Sequence, residues 1–145
     1  VNHLTPFDFP TLQSRFSGFS VSQTEFFDPG GQYPAFLVQQ GNKEVLTLIR
    51  YDSGDPLAFE LRSWNMKLAN GVATGDRFAD VFAEQRPLGL FNGLETDIGA
   101  VMVEAPGSER ITLMFQPAPG SILNDHTLTR SDLADFILTE MRWMP

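Results

Sequence analysis

Cysteine is absent from this chain. That excludes a disulfide framework and any thiolate metal site. It leaves the compartment open, because exported domains of this size can do without bridges. Histidine is scarce: only His3 and His126 are available for acid–base work. Basic residues number 10 against 18 acidic ones, and no basic stripe forms. Nucleic acid and anionic lipid surfaces are therefore poor partners. No run approaches the ~20 consecutive apolar residues of a membrane-spanning helix.

What the chain does have is phenylalanine, 13 of 145 residues, within a hydrophobic content of 42%. Each buried Phe contributes about 1.5–3 kcal/mol, so a core can form without staples. The length predicts a single domain over 1–145, burying roughly two-thirds of the unfolded chain's surface. The formal charge is −8. Such an excess attracts cationic proteins at long range, and salt weakens the attraction.

Strand patterning dominates from the start. Val1–Leu4 reads as a short edge strand, and Thr5–Phe16 as a helix capped by Asp8, with Leu12 and Phe16 facing the core and Gly18 ending it. Phe19–Phe27 reads as a strand, and Asp28-Pro29-Gly30-Gly31 as a turn. Tyr33–Gln40 and Glu44–Tyr51 form the best hairpin, joined at Gly41-Asn42. Leu57–Trp64 alternates apolar and polar residues, the mark of a half-buried strand. A four-stranded antiparallel meander follows from these segments.

The stretch Gly71-Val72-Ala73-Thr74-Gly75-Asp76-Arg77-Phe78-Ala79-Asp80-Val81-Phe82 separates this meander from a second run of strands. Thr74 or Asp76 can cap a helix whose Phe78, Val81 and Phe82 fall at i, i+3 and i+4. Leu88–Gly99 reads as a long glycine-rich loop. Gly99–Ala105 and Arg110–Gln116 form a second hairpin across Pro106-Gly107-Ser108. Thr129–Asp135 is a short helix capped by Thr129 or Ser131. Phe136–Trp143 closes the chain with Ile137, Thr139, Met141 and Trp143 on one face. The fold class is mainly β: an antiparallel sandwich-like or strongly bent sheet with two or three short helices.

Candidate chemistry is thin, and no catalytic, cofactor or metal residue is assigned. Asp125-His126 near Ser121 or Ser131 resembles a triad fragment, but a triad is defined by geometry and not by sequence neighbours. Asp52, Ser53 and Asp55 around Gly54 offer oxygens, yet Pro56 and Leu57 follow where a calcium loop needs further ligands. Gly71 and Gly75 before a helix suggest phosphate binding but lack the Lys-Ser/Thr of a P-loop. Glu95 and Asp97 are neighbouring loop acids, without the separation across a cleft that glycosidase chemistry needs. Leu90 and Phe91, placed in the long loop, are candidates for a contact tip.

The 71–82 stretch resembles the G-V-x-x-G-x-x-F-x-D-[VL]-[FY] segment of the sigma-E-regulated envelope lipoprotein family of Gram-negative bacteria. Ser108-Glu109-Arg110-Ile111-Thr112-Leu113-Met114-Phe115 is similar to that family's S-x-x-I-x-x-x-F strand, and Met141-Arg142-Trp143 to its closing I/M-x-W. The chain departs from the family in lacking a mid-chain cysteine pair. The resemblance implies a mainly β domain in the periplasm, attached to the outer membrane through a lipidated cysteine upstream of Val1, with no catalytic residues. The expected role is non-enzymatic: binding an envelope partner or ligand under stress. The alternatives are an acidic inhibitor of a cationic hydrolase such as lysozyme, a small hydrolase using Asp125 and His126, and a carrier for an apolar ligand.

Overall fold

The computed structural model describes residues 7–51, 60–83, 90–92, 100–120 and 130–143. The protein is mainly antiparallel β, with three short helices among the described residues, and its contacts divide it into two compact units. The first unit runs to Asn65 and takes in the chain from Arg142 onward; the second runs from Met66 to Met141.

The first unit opens with helix α1, Phe9–Arg15. Asp8 caps it as the sequence predicts: its carboxylate accepts the Thr11 N–H at 3.0 Å, and Pro10 sits in the first turn, where no donor is lost. Leu12 is fully buried, whereas Phe16 is only half-buried. Strands β1 (Ser20–Asp28), β2 (Gly31–Gln40), β3 (Lys43–Ile49) and β4 (Glu60–Ser63) follow in an antiparallel meander, in that order across the sheet. The Asp28–Gly31 turn closes by an Asx bond, Asp28 Oδ1 accepting from Gly30 N at 2.7 Å. The continuous apolar run of β3 has its explanation in pairing on both sides, with Leu46, Thr47, Leu48 and Ile49 all buried.

The register sorts this sheet into two faces. One carries the rows Gln23–Phe36–Leu48–Leu61 and Val21–Val38–Leu46. Helix α1 brings Leu12 to this unit's core, and the Phe7 ring just before the helix lies 4.9 Å from Phe36. The other face carries Thr24–Ala35–Ile49–Glu60, Ser22–Leu37–Thr47–Arg62 and Phe26–Tyr33. Here the half-buried alternation expected for Leu57–Trp64 is corrected over its described part. Glu60 is buried and Arg62 half-buried because these two charged side chains are paired with each other, while Leu61 and Ser63 are buried on the first face.

The second unit contains helix α2 (Phe78–Val81), strands β5 (Leu90–Asn92), β6 (Val101–Ala105) and β7 (Ser108–Gln116), helix α3 (Arg130–Leu133) and strand β8 (Ile137–Trp143), whose last residues count with the first unit. The strands lie in the order β8-β7-β6-β5. Strand β6 alternates as expected, with Val101, Val103 and Ala105 inward and Met102 opposite. The core gathers Phe78, Phe82 and Phe115 with Val101, Val103, Leu113, Leu133, Phe136, Leu138 and Met141. Phe78 lies 4.9 Å from Phe82 and 5.1 Å edge-on to Phe115, so the i, i+4 pair packs as its spacing requires.

Two expectations for this unit are corrected, the cap of α2 and the loop at Leu90 and Phe91. Neither Thr74 nor Asp76 caps α2; Arg77 holds that position without a side-chain cap bond. Helix α3 starts at Arg130 with Ser131 inside it, and Thr129, the other cap candidate, lies outside the described residues. Leu90 and Phe91 are not loop: with Asn92 they pair antiparallel to β6, Leu90 opposite Val103 and Phe91 opposite Met102. On β8 both faces are covered, since Leu138 and Glu140 are buried beside Met141. The edge strand expected at Val1–Leu4 lies outside the described residues.

Candidate functional site

Two places in the first unit bring polar and aromatic side chains together, and Tyr33 belongs to both. The first is a network that pattern reading missed. Arg62 Nε donates to Glu60 Oε1 at 2.9 Å, and its Nη2 donates to the Tyr51 hydroxyl at 2.7 Å. The Arg62 guanidinium also stacks 4.7 Å above the Phe26 ring centroid. Arg142 approaches the same Glu60 oxygen at 3.8 Å. The Tyr33 and Tyr51 rings meet edge-on at 4.6 Å. Arg62 and Glu60 side chains retain only 12% and 11% of their exposure, so the two charges neutralise each other away from bulk water.

The electrostatics of this network suit structure and not proton transfer. Burial pushes the Tyr51 phenol up to about 12, with Glu60 adding to the rise and Arg62 opposing it. A phenol that holds its proton at neutral pH is neither base nor nucleophile. The folded state therefore binds the proton more tightly than the unfolded chain does. The stabilisation from this group is complete below pH ~10 and is lost as pH rises from there through about 12. Urea unfolding followed across this range should show stability falling in the parent chain and a shallower fall in Tyr51→Phe.

The second place is a groove of about 980 Å³ along the outer part of the β1–β2 hairpin. Phe7, Pro34, Ala35 and Phe36 supply its apolar lining, and Gln23, Thr24, Glu25, Gln32, Tyr33 and Arg50 its polar groups. It forms because α1 covers only the Val21 end of the β1–β2 hairpin; Gln23, Glu25 and Phe27, further out on the same face, stay exposed. Phe27, 66% exposed, stands opposite Gln32 in the register. The apolar floor, the amide rim and the opposite charges of Glu25 and Arg50 can hold an extended polar segment.

The 71–82 stretch is committed elsewhere. The N–H groups of Gly71, Thr74, Gly75 and Asp76 donate to the carbonyls of Leu68, Met66, Leu138 and Ala73. Those of Val72 and Ala73 donate to the side chains of Asn70 and Asp76. A phosphate would find its donors taken and a carboxylate in its place, so the phosphate reading is withdrawn. Gly71 and Gly75, with φ of +96° and +97°, supply the left-handed turns that make this possible.

Asp125, His126, Ser121, Asp52, Ser53, Asp55, Glu95, Asp97 and His3 lie outside the described residues. The side chains of Leu90 and Phe91 do as well, so the structure places their backbone in β5 without testing them as a contact tip. Among the described residues no group of His, Asp and Glu is placed to hold a metal ion, and no helix is long and apolar enough to cross a membrane.

Antiparallel strands with short helices, an ion-paired network and an open groove define a mainly β protein. No family model and no curated protein matches the chain. Among solved structures, its fold is similar to that of the uncharacterized protein yfeY from Escherichia coli. The TM-score is 0.67 at 14% identity, covering 97% of this chain and 90% of that one.

Proposed function

We propose that this chain is a non-enzymatic binding domain of the cell envelope, holding an extended, cationic segment of a partner protein in the groove beneath Phe7 and Phe36. The observation that supports it most is the groove itself, an open channel with an aromatic floor, glutamine amides and one acidic and one basic side chain, Glu25 and Arg50. A net charge of −8 favours a cationic partner over an anionic one. The network around Arg62 is spent on internal pairing, which fits a scaffold role. The envelope setting rests on the residue resemblance of the 71–82 and 108–115 segments, and with it a lipidated cysteine upstream of Val1. An inhibitor of a cationic hydrolase is the special case in which the segment belongs to an enzyme such as lysozyme.

Calorimetric titration with a synthetic extended peptide carrying Lys residues tests the groove. Binding is expected at low salt, weakening as salt rises. Glu25→Lys should reduce the affinity about fivefold, since a rim charge contributes up to about 1 kcal/mol and its reversal repels. Absence of binding at low salt, or indifference to Glu25→Lys, would remove the proposal.

A further inference from the structure

Strand β1 is the last strand of its unit's sheet among the described residues, paired on one side with β2. Its outward backbone groups can be identified. The Pro34 carbonyl accepts the Arg50 N–H, so it points toward β3. Glu25, the partner of Pro34, therefore turns its N–H and C=O away from β2, and Val21, Gln23 and Phe27 share that direction by the period of two. Phe19 confirms the parity: its N–H donates to Phe16 O and its carbonyl accepts from Gln13 Nε2, both on the α1 side. The nine-residue strand has no Pro, no Lys and no register shift against β2, so it carries none of those protections of an edge.

We infer that this edge recognises a second copy of the chain, β1 pairing antiparallel with β1 about a two-fold axis at Thr24. The side chains select that register. It sets Val21 against Phe27 of the second copy, Gln23 against Glu25, and Thr24 against Thr24. Apolar thus meets apolar, amide meets carboxylate, and hydroxyl meets hydroxyl. Moving the axis to Glu25 would oppose two carboxylates. Moving it to Gln23 would set Phe27 against Phe19, whose backbone groups α1 already uses. Phe27, exposed in the single chain, gains an apolar neighbour. The contact is isologous and closes at two copies. The charge of −8 on each copy opposes association, so salt strengthens it. Groove binding of a cationic segment has the opposite salt dependence, so either proposal can fail without the other.

Sedimentation of the full chain over a concentration series, at low and high salt, tests the pairing. A monomer–dimer equilibrium shifted toward dimer by salt is expected. Thr24→Lys, at an exposed position, should weaken it about tenfold by placing like charges face to face. Because the chain has no cysteine, Thr24→Cys provides a single thiol. A non-hydrogen-bonded pair sets Cα atoms ~4.5 Å apart, within disulfide reach. Mild oxidation should therefore cross-link Thr24→Cys and leave Ser22→Cys, which faces Phe26 of the second copy, largely free. A monomer at every concentration, a dimer indifferent to Thr24→Lys, or equal cross-linking at both positions would overturn the inference.

Discussion

Phe78→Ala should cost about 3–5 kcal/mol in urea unfolding, the range for removing a large aromatic ring from a core. Phe78 is 1% exposed and touches both Phe82 and Phe115, so its removal takes one ring contact from each of them. The site is held from several sides: Phe78 N donates to Phe136 O at 2.8 Å, and Ala79 N donates to Ala134 O. These backbone bonds fix the turn, so the surroundings are poorly free to collapse into the space. A loss of this size is a large part of the 5–15 kcal/mol available to a typical domain. Phe78→Leu, which keeps most of the apolar volume, should lose well under half as much. Equal losses for Ala and Leu would mean the ring edge contacts, and not buried volume, hold this core together.

Arg62→Ala should destabilise the fold by about 3 kcal/mol, because it leaves the buried Glu60 carboxylate with the longer contact to Arg142 and takes a donor from the Tyr51 hydroxyl. Arg62→Lys should recover little of this. An ammonium can pair with Glu60 but cannot spread its planar fork over Phe26 while reaching Tyr51. Replacing both members, as Arg62→Met with Glu60→Leu, should restore most of the stability, since neither member of the pair is then left buried without the other. Urea unfolding of the single and double variants gives the coupling between the two positions. A cost below about 1 kcal/mol for Arg62→Ala would place the pair with ordinary surface bridges.

Much of this architecture was legible from local chemistry. Asp8 before Phe9-Pro10 gave the cap, Asp28-Pro29-Gly30-Gly31 gave the first turn, and the spacing of Phe78 and Phe82 gave the inward side of α2. Each of these signals lies within a few residues of the structure it specifies. The Arg62 network was not legible for the opposite reason. Period-two alternation shows that Glu60 and Arg62 share a face, but it does not show whether that face is covered. Its other members, Phe26, Tyr51 and Arg142, come from distant parts of the chain. Strand β5 escaped because three residues are too few for a pattern; its pairing with β6 defines it. The groove was equally hidden, since it depends on how far α1 reaches along the hairpin.

Amide chemical-shift mapping of the Lys-bearing peptide onto the labelled protein tests the binding account most directly. The account predicts shifts concentrated at Gln23, Glu25, Gln32 and Phe36, fading as salt is raised, with Tyr51 and Arg62 unmoved. Shifts centred on Arg62 and Tyr51, or none at any residue of the groove, would contradict it.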